Sequence, residues 1–146
     1  MITFHSSADY FITPADAIVN TVNCVGVMGK GLALEVKNRY PEAFDIYRDF
    51  CSAGKMVPGH LLAVRTSGIF VVNFPTKRHW CEPSRLDDIE IGLAALRSFI
   101  YTYAVGSISI PALGCSNGGL SWKDVWLLIQ KYMDLPDKQI LVFPPL

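Results

Sequence analysis

Short apolar runs alternate with longer stretches of helical periodicity along the whole chain. Ile2 to Phe4 and Ala17 to Val22 read as strands, and Leu32 to Phe50 then carries apolar side chains at the three-to-four-residue spacing of one helix. Leu61 to Val64 and Ile69 to Phe74 read as two strands across a Ser67-Gly68 turn, followed by a helix over Leu86 to Tyr103. Ser107 to Pro111 is a buried strand, Trp122 to Met133 a short helix ended by Leu135-Pro136, and Ile140 to Phe143 a closing strand before Pro144-Pro145. Strands interleaved with helices predict an α/β fold with a mixed, mostly parallel central sheet flanked by helices on both faces. No repeat, linker or low-complexity tract interrupts residues 1–146, so one domain is expected.

Composition narrows the class further. With 51% apolar residues and 18% charged ones, 146 residues can bury one core of ordinary size. The 13 basic and 13 acidic side chains balance, so no global positive field advertises nucleic acid, and any DNA contact has to be local. Cys24, Cys51, Cys81 and Cys115 form no CxxC pair, which excludes a zinc ribbon or thioredoxin motif and fits free thiols in a reducing cytoplasm. Neither a secretory leader nor a bilayer-length apolar run is readable, which predicts a soluble cytoplasmic protein.

Chemistry collects where strands end. Ligands of open α/β sheets bind outside the carboxyl ends of the strands, and three such ends in this chain lead into unusual segments. Gly26-Val27-Met28-Gly29-Lys30-Gly31 lies between a strand and a helix, where close backbone approach and free N–H groups make an anion site. The segment matches neither a Walker A loop nor a GxGxxG fingerprint, and a plain tight turn is the competing reading. Gly114-Cys115-Ser116-Asn117-Gly118-Gly119-Leu120 repeats the strand–loop–helix placement, so a diphosphate could lie between the two loops. Asn73-Phe74-Pro75-Thr76-Lys77-Arg78-His79-Trp80 follows the third strand and sets a cation and an aromatic ring at its lip, making Lys77 the leading candidate for chemistry. His79 and Cys81 lie near Lys77, but no metal-ligand spacing joins them to His5 or His60, and no metal or cofactor is expected.

Asp16-Ala17-Ile18-Val19-Asn20-Thr21-Val22-Asn23 followed by Gly29-Lys30-Gly31-Leu32-Ala33 resembles the signature of macrodomains, which bind ADP-ribose. The likeness runs through nearly the whole chain, including the strand to Pro111 and the Gly114 to Leu120 loop. Thr21 to Gly31 together with Asn73 to Trp80 is most similar to the macrodomains of DarG-type antitoxins. Those remove ADP-ribose from thymidine in DNA and so reverse DarT-type toxins.

The resemblance implies a role for each matching position. Asp9, with Tyr10 beside it, would meet adenine, since a carboxylate accepts from its amino group, and Phe143 would flank the ring. Asn23 would hold the distal ribose diol with its donor and acceptor, while Asn20 would support the loop or the ligand. Gly29, Lys30, Gly31 and Leu32 on one side and Gly114, Cys115, Ser116, Asn117, Gly118, Gly119 and Leu120 on the other would embrace the diphosphate. Lys77 and Asn23 would carry catalysis, with Lys77 serving either as an acid to the leaving base or as a nucleophile. Arg78, Trp80 and Arg85 would contact single-stranded DNA, by phosphate pairing and base stacking. Two departures stand out. Related terminal ADP-ribose glycohydrolases pair a lysine with an aspartate where this chain has Gly118, and Ser116 and Asn117 replace the usual glycine and apolar residue before the double glycine. The implied activity is a mono-ADP-ribosyl glycohydrolase acting on DNA, with a DarT-type toxin as possible partner. A pure ADP-ribose reader and a hydrolase of ADP-ribosyl esters are the alternatives.

Overall fold

Along β2 (Ala17–Val22) the side chains divide: Ala17 and Val19 join one apolar cluster, Ile18 and Val22 two smaller ones. That alternation places β2 at the centre of a sheet buried on both faces. The computed structural model describes residues 1–146. Its six-stranded sheet has the order β1-β6-β5-β2-β4-β3, formed by β1 (Ile2–Phe4), β2, β3 (Leu62–Thr66), β4 (Ile69–Pro75), β5 (Ser107–Pro111) and β6 (Gln139–Phe143). Every neighbouring pair is parallel except β3 with β4. Ser67 and Gly68 both take positive φ, 51° and 80°, the hairpin geometry that follows the strand twist. The ladder therefore continues to the Thr66–Ile69 pair, which carries β3 two residues beyond the expected Val64.

Four helices cover the sheet: α1 (Gly31–Arg39), α2 (Pro41–Ser52), α3 (Leu86–Thr102) and α4 (Trp122–Met133). The residues of α3 and α4 that face the sheet, among them Leu93, Leu96, Val125 and Ile129, are fully buried with Val19, Val72 and Phe74. Full burial of each such side chain is worth about 1.5–3 kcal/mol, and this face carries the largest buried apolar cluster. On the opposite face Val36 of α1 and Ala43 and Tyr47 of α2 pack beneath β2, β4 and the loop that follows β2. The single helix expected over Leu32 to Phe50 is two. Proline disfavours helical geometry in the residue before it, and Tyr40 sits at φ −132°, ψ 68°, leaving Pro41 to open α2. The short turn Ser7–Asp9 is a 3-10 helix capped by the Ser6 hydroxyl. No helix is long and apolar enough to cross a membrane.

One polar pair interrupts the sheet's apolar centre. Asn20 and Asn73 stand in register on β2 and β4, and Asn20 Nδ2 donates to Asn73 Oδ1 at 2.9 Å. The same Nδ2 lies 3.9 Å from Sδ of Met28, whose buried side chain anchors the loop after β2.

Candidate functional site

β2 has β5 on one side and β4 on the other, so the strand order reverses at its carboxyl end, where crevices open in α/β sheets. The loops leaving these three strands wall a cleft of about 820 Å³, within the range of about 300–1,000 Å³ that holds small ligands.

The first wall is the loop after β2 and the start of α1. Asn23 organises it: its Oδ1 accepts from Val25 N at 3.1 Å and Val27 N at 3.4 Å, and its Nδ2 donates to Val27 O at 2.8 Å. The Tyr47 hydroxyl reaches the same Oδ1 at 2.7 Å and the Asn23 main-chain oxygen at 2.9 Å. Burial pushes the Tyr47 hydroxyl far up from its ordinary range, so it stays a donor. The Asn23 acceptor is thus committed to its own loop, and one amide hydrogen remains for the cleft. In α1 the first amide bonded back along the helix is Leu34 N, to Lys30 O at 3.2 Å. The amides before it belong to Gly31, Leu32 and Ala33, all on the cleft wall, which makes this end an anion site.

The second wall runs from Ala112 to Gly119. Gly114 at φ 70° and Gly119 at φ 77° need the conformation glycine adopts freely. Gly118 is demanded by space instead: a Cβ there would lie 2.4 Å from Gly114 O and 2.1 Å from Ser84 Oγ. Ser84 N donates to Gly118 O at 2.9 Å, while the buried Ser84 hydroxyl has no partner. The two loops approach closely, since a Cβ on Gly31 would sit 3.8 Å from Asn117 Nδ2.

The third wall follows β4. Thr76 N and Lys77 N both donate to Val22 O, at 2.9 and 3.4 Å, which ties this segment to the end of β2. Lys77 is half-buried, and its Nζ donates to Trp80 O at 3.2 Å. No carboxylate pairs with it. Trp80, 55% exposed, lines the same wall with its ring tilted against His79.

Most of the residues expected from sequence meet in this one space. Asn23, Gly29, Lys30, Gly31, Leu32, Lys77 and Trp80 line the cleft, as do Gly114 to Gly119. Others do not. Phe143 is 1% exposed, packed edge-on against Tyr10 and stacked on His5, so it belongs to the core and presents no face to a base. Tyr10 is buried as well, its hydroxyl donating to Val19 O. Asn20 is sealed in the sheet, and Leu120 packs against the core beneath Gly114. Asp9 is exposed at the end of the 3-10 turn, outside the cleft. Arg78 points to the other side of its segment, where both ends of its guanidinium fork bond Asp88 at 3.1 Å. Arg85 is exposed just before α3.

Sequence reading passed over Thr21, Val27, Thr76 and Glu82, which also line the cleft. Glu82 supplies the only carboxylate on the wall, and its place five residues after Lys77, in the same segment, was the available signal. No group of three histidine, cysteine or acidic side chains is arranged to hold a metal ion.

A model of the Macro domain family matches residues 19–129. A DNA ADP-ribosyl glycohydrolase of Mycobacterium tuberculosis is 43% identical over 99% of this chain, and one of Thermus aquaticus is 39% identical over 90%. The chain spans 42% and 38% of the length of these two relatives. The solved macrodomain of Mycobacterium tuberculosis DarG superposes over 100% of this chain and 99% of its own length, with a TM-score of 0.95 at 43% identity. Thermosipho africanus DarTG, solved in complex with ADP-ribose, matches 94% of this chain and 40% of its own, with a TM-score of 0.87 at 32% identity. The crevice at the strand-order reversal, the two glycine loops and the extent of these matches lead to one conclusion: the chain belongs to the macro domain family.

Proposed function

We propose that residues 1–146 form an ADP-ribose-binding and hydrolysing domain, a mono-ADP-ribosyl glycohydrolase that releases ADP-ribose from thymidine in DNA. The observation that carries this reading is the placement of Lys77. It is a half-buried cation without a carboxylate partner, at the end of the strand beside β2, on the same wall system as both glycine loops. Relatives at 43% and 39% identity are named DNA ADP-ribosyl glycohydrolases, and a solved relative holds ADP-ribose, which supports the choice of ligand and bond.

In this reading the diphosphate lies between the α1 amides and the Gly114–Gly119 loop, with Lys30 adding charge. The free amide hydrogen of Asn23 meets a hydroxyl of the distal ribose. The bond between the anomeric carbon and the base breaks through an oxocarbenium-like state, which the neighbouring diphosphate stabilises. Lys77 gives a proton to the departing base, and water adds to the anomeric carbon. Glu82, the one carboxylate on the cleft wall, would orient or deprotonate that water in this reading.

Trp80 stacks on an unpaired base beside the lesion, while Arg85 meets a phosphate. Adenine lies at the end of the cleft nearest Asp9. A DarT-type toxin is the partner that would make such a substrate.

Side-by-side incubation with ADP-ribosylated single-stranded DNA, ADP-ribosylated protein and O-acetyl-ADP-ribose tests the reading. Release from DNA is the expected result. Release from the esters alone would assign an ester hydrolase, and binding of ADP-ribose without any release would assign a reader.

A further inference from the structure

Four cysteines are present, and three of them are half-buried. Burial pushes the Cys24 thiol up to about 11 and raises those of Cys51 and Cys115, which keeps all three as unreactive thiols. Cys81 differs in its surroundings. It is exposed, it lies on the cleft wall beside Lys77 and Trp80, and its Sγ stands 2.9 Å from Nδ1 of His79.

The same Nδ1 accepts the main-chain N–H of Cys81 at 3.2 Å. A ring nitrogen that accepts an N–H carries no proton of its own, and in that tautomer the Cys81 thiol lies within reach of the same lone pair. The His79 ring lies against the Trp80 indole, with centroids 5.2 Å apart. A thiol aimed at an oriented imidazole is the arrangement that activates sulfur as a nucleophile. No third histidine, cysteine or acidic side chain joins the pair.

We propose that Cys81 and His79 form a covalent modification site on the rim of the cleft, taking small hydroperoxides. The Cys81 sulfur attacks one peroxide oxygen, a sulfur–oxygen bond forms and the oxygen–oxygen bond breaks. His79 Nδ1 takes the thiol proton and delivers it to the departing hydroxide or alkoxide, which leaves as water or an alcohol. Sulfur loses two electrons, the peroxide gains two, and the product is a sulfenic acid that a thiol reductant restores. That product sets a new polar group on the wall that carries Lys77. Its effect on ADP-ribose binding rests on the proposed function, whereas the modification itself does not.

The test treats the folded protein with hydrogen peroxide, traps sulfenic acid with dimedone and locates the adduct by mass spectrometry. Cys81 should be labelled first, about tenfold or more faster than in the urea-unfolded chain, with Cys24, Cys51 and Cys115 protected until unfolding. His79→Ala should remove that advantage, and His79→Phe, which keeps a ring against Trp80, should do the same. A Cys81 rate no greater than in the unfolded chain, or one untouched by either substitution, would overturn the proposal. The readout is an adduct on one residue, so its failure is separate from a failure to release ADP-ribose.

Discussion

The Tyr47 hydroxyl, carried by α2, lies 2.7 Å from Oδ1 of Asn23, 24 residues earlier in the chain. This bond joins the helix layer to the loop that opens the cleft. In Tyr47→Phe, Asn23 Oδ1 keeps the amides of Val25 and Val27 while the Asn23 main-chain oxygen loses its donor, and the loss is about 1 kcal/mol of stability. If the loop then orders only on binding, ADP-ribose affinity falls by up to about fivefold. Thermal melting and calorimetric titration measure the two effects, and unchanged values for both would show that the loop holds its shape without the hydroxyl.

The resemblance to terminal ADP-ribose glycohydrolases implies a carboxylate at the position of Gly118, yet this chain has no room for one. A Cβ would meet Gly114 O at 2.4 Å, and a backbone carbonyl cannot swing aside as a side chain can. Gly118→Asp should therefore destabilise by about 1–3 kcal/mol and weaken ligand binding, without creating a partner for Lys77. Adding Ser84→Ala removes the 2.1 Å conflict with Ser84 Oγ but not the carbonyl conflict, so recovery should be partial. Ser84→Ala alone deletes a hydroxyl without a partner and should be neutral or slightly stabilising in urea unfolding.

Gly92, inside α3, faces the ring of Phe74, and a Cβ there would lie 2.3 Å from Phe74 Cζ. Alanine in a helix interior gains about 1 kcal/mol over glycine, whereas overpacking a buried ring costs about 1–3 kcal/mol, so Gly92→Ala should be net destabilising. Pairing it with Phe74→Leu should recover part of the loss in a urea titration.

The centre of the sheet and the last helix were legible in sequence because their signals are local. Ala17–Val22, Ser107–Pro111 and Trp122–Met133 appear at the bounds that apolar patterning gives. The break at Tyr40-Pro41 was also written in the chain, but apolar spacing continues through it and hides the stop. At the site, the glycine loops and Lys77 could be found because each follows a strand end. The commitment of the Asn23 acceptor could not, since it depends on Tyr47 arriving from α2. Phe143 misled for a similar reason: a strand-end aromatic reads alike whether it meets ligand or core, and Tyr10 and His5 decide the matter by covering it.

Lys131 Nζ donates to Glu90 Oε2 at 2.8 Å, linking α4 to α3, and the Tyr132 hydroxyl donates to the same oxygen. The Lys131 ammonium, then Tyr132, hold the Glu90 carboxyl below its ordinary range, and Glu90 in turn raises Lys131. A carboxyl depressed by folding adds stability above its unfolded pKa and loses it as pH falls through the folded one. A raised lysine adds stability below its unfolded pKa and loses it as pH rises through the folded one. Lys131→Met keeps the aliphatic stem and removes the charge. The melting-temperature gap between wild type and this variant should be small at neutral pH, because the pair is exposed, and should close as pH drops below the carboxylate range. A gap that widens in acid would contradict the assignment.

The central claim is that Lys77 acts on the bond and not on the hold. Release of ADP-ribose from modified single-stranded DNA by Lys77→Ala, measured alongside calorimetric binding of free ADP-ribose, tests it most directly. Loss of turnover by about a hundredfold or more with affinity kept within a few-fold is the predicted result. Turnover at the wild-type rate would contradict it.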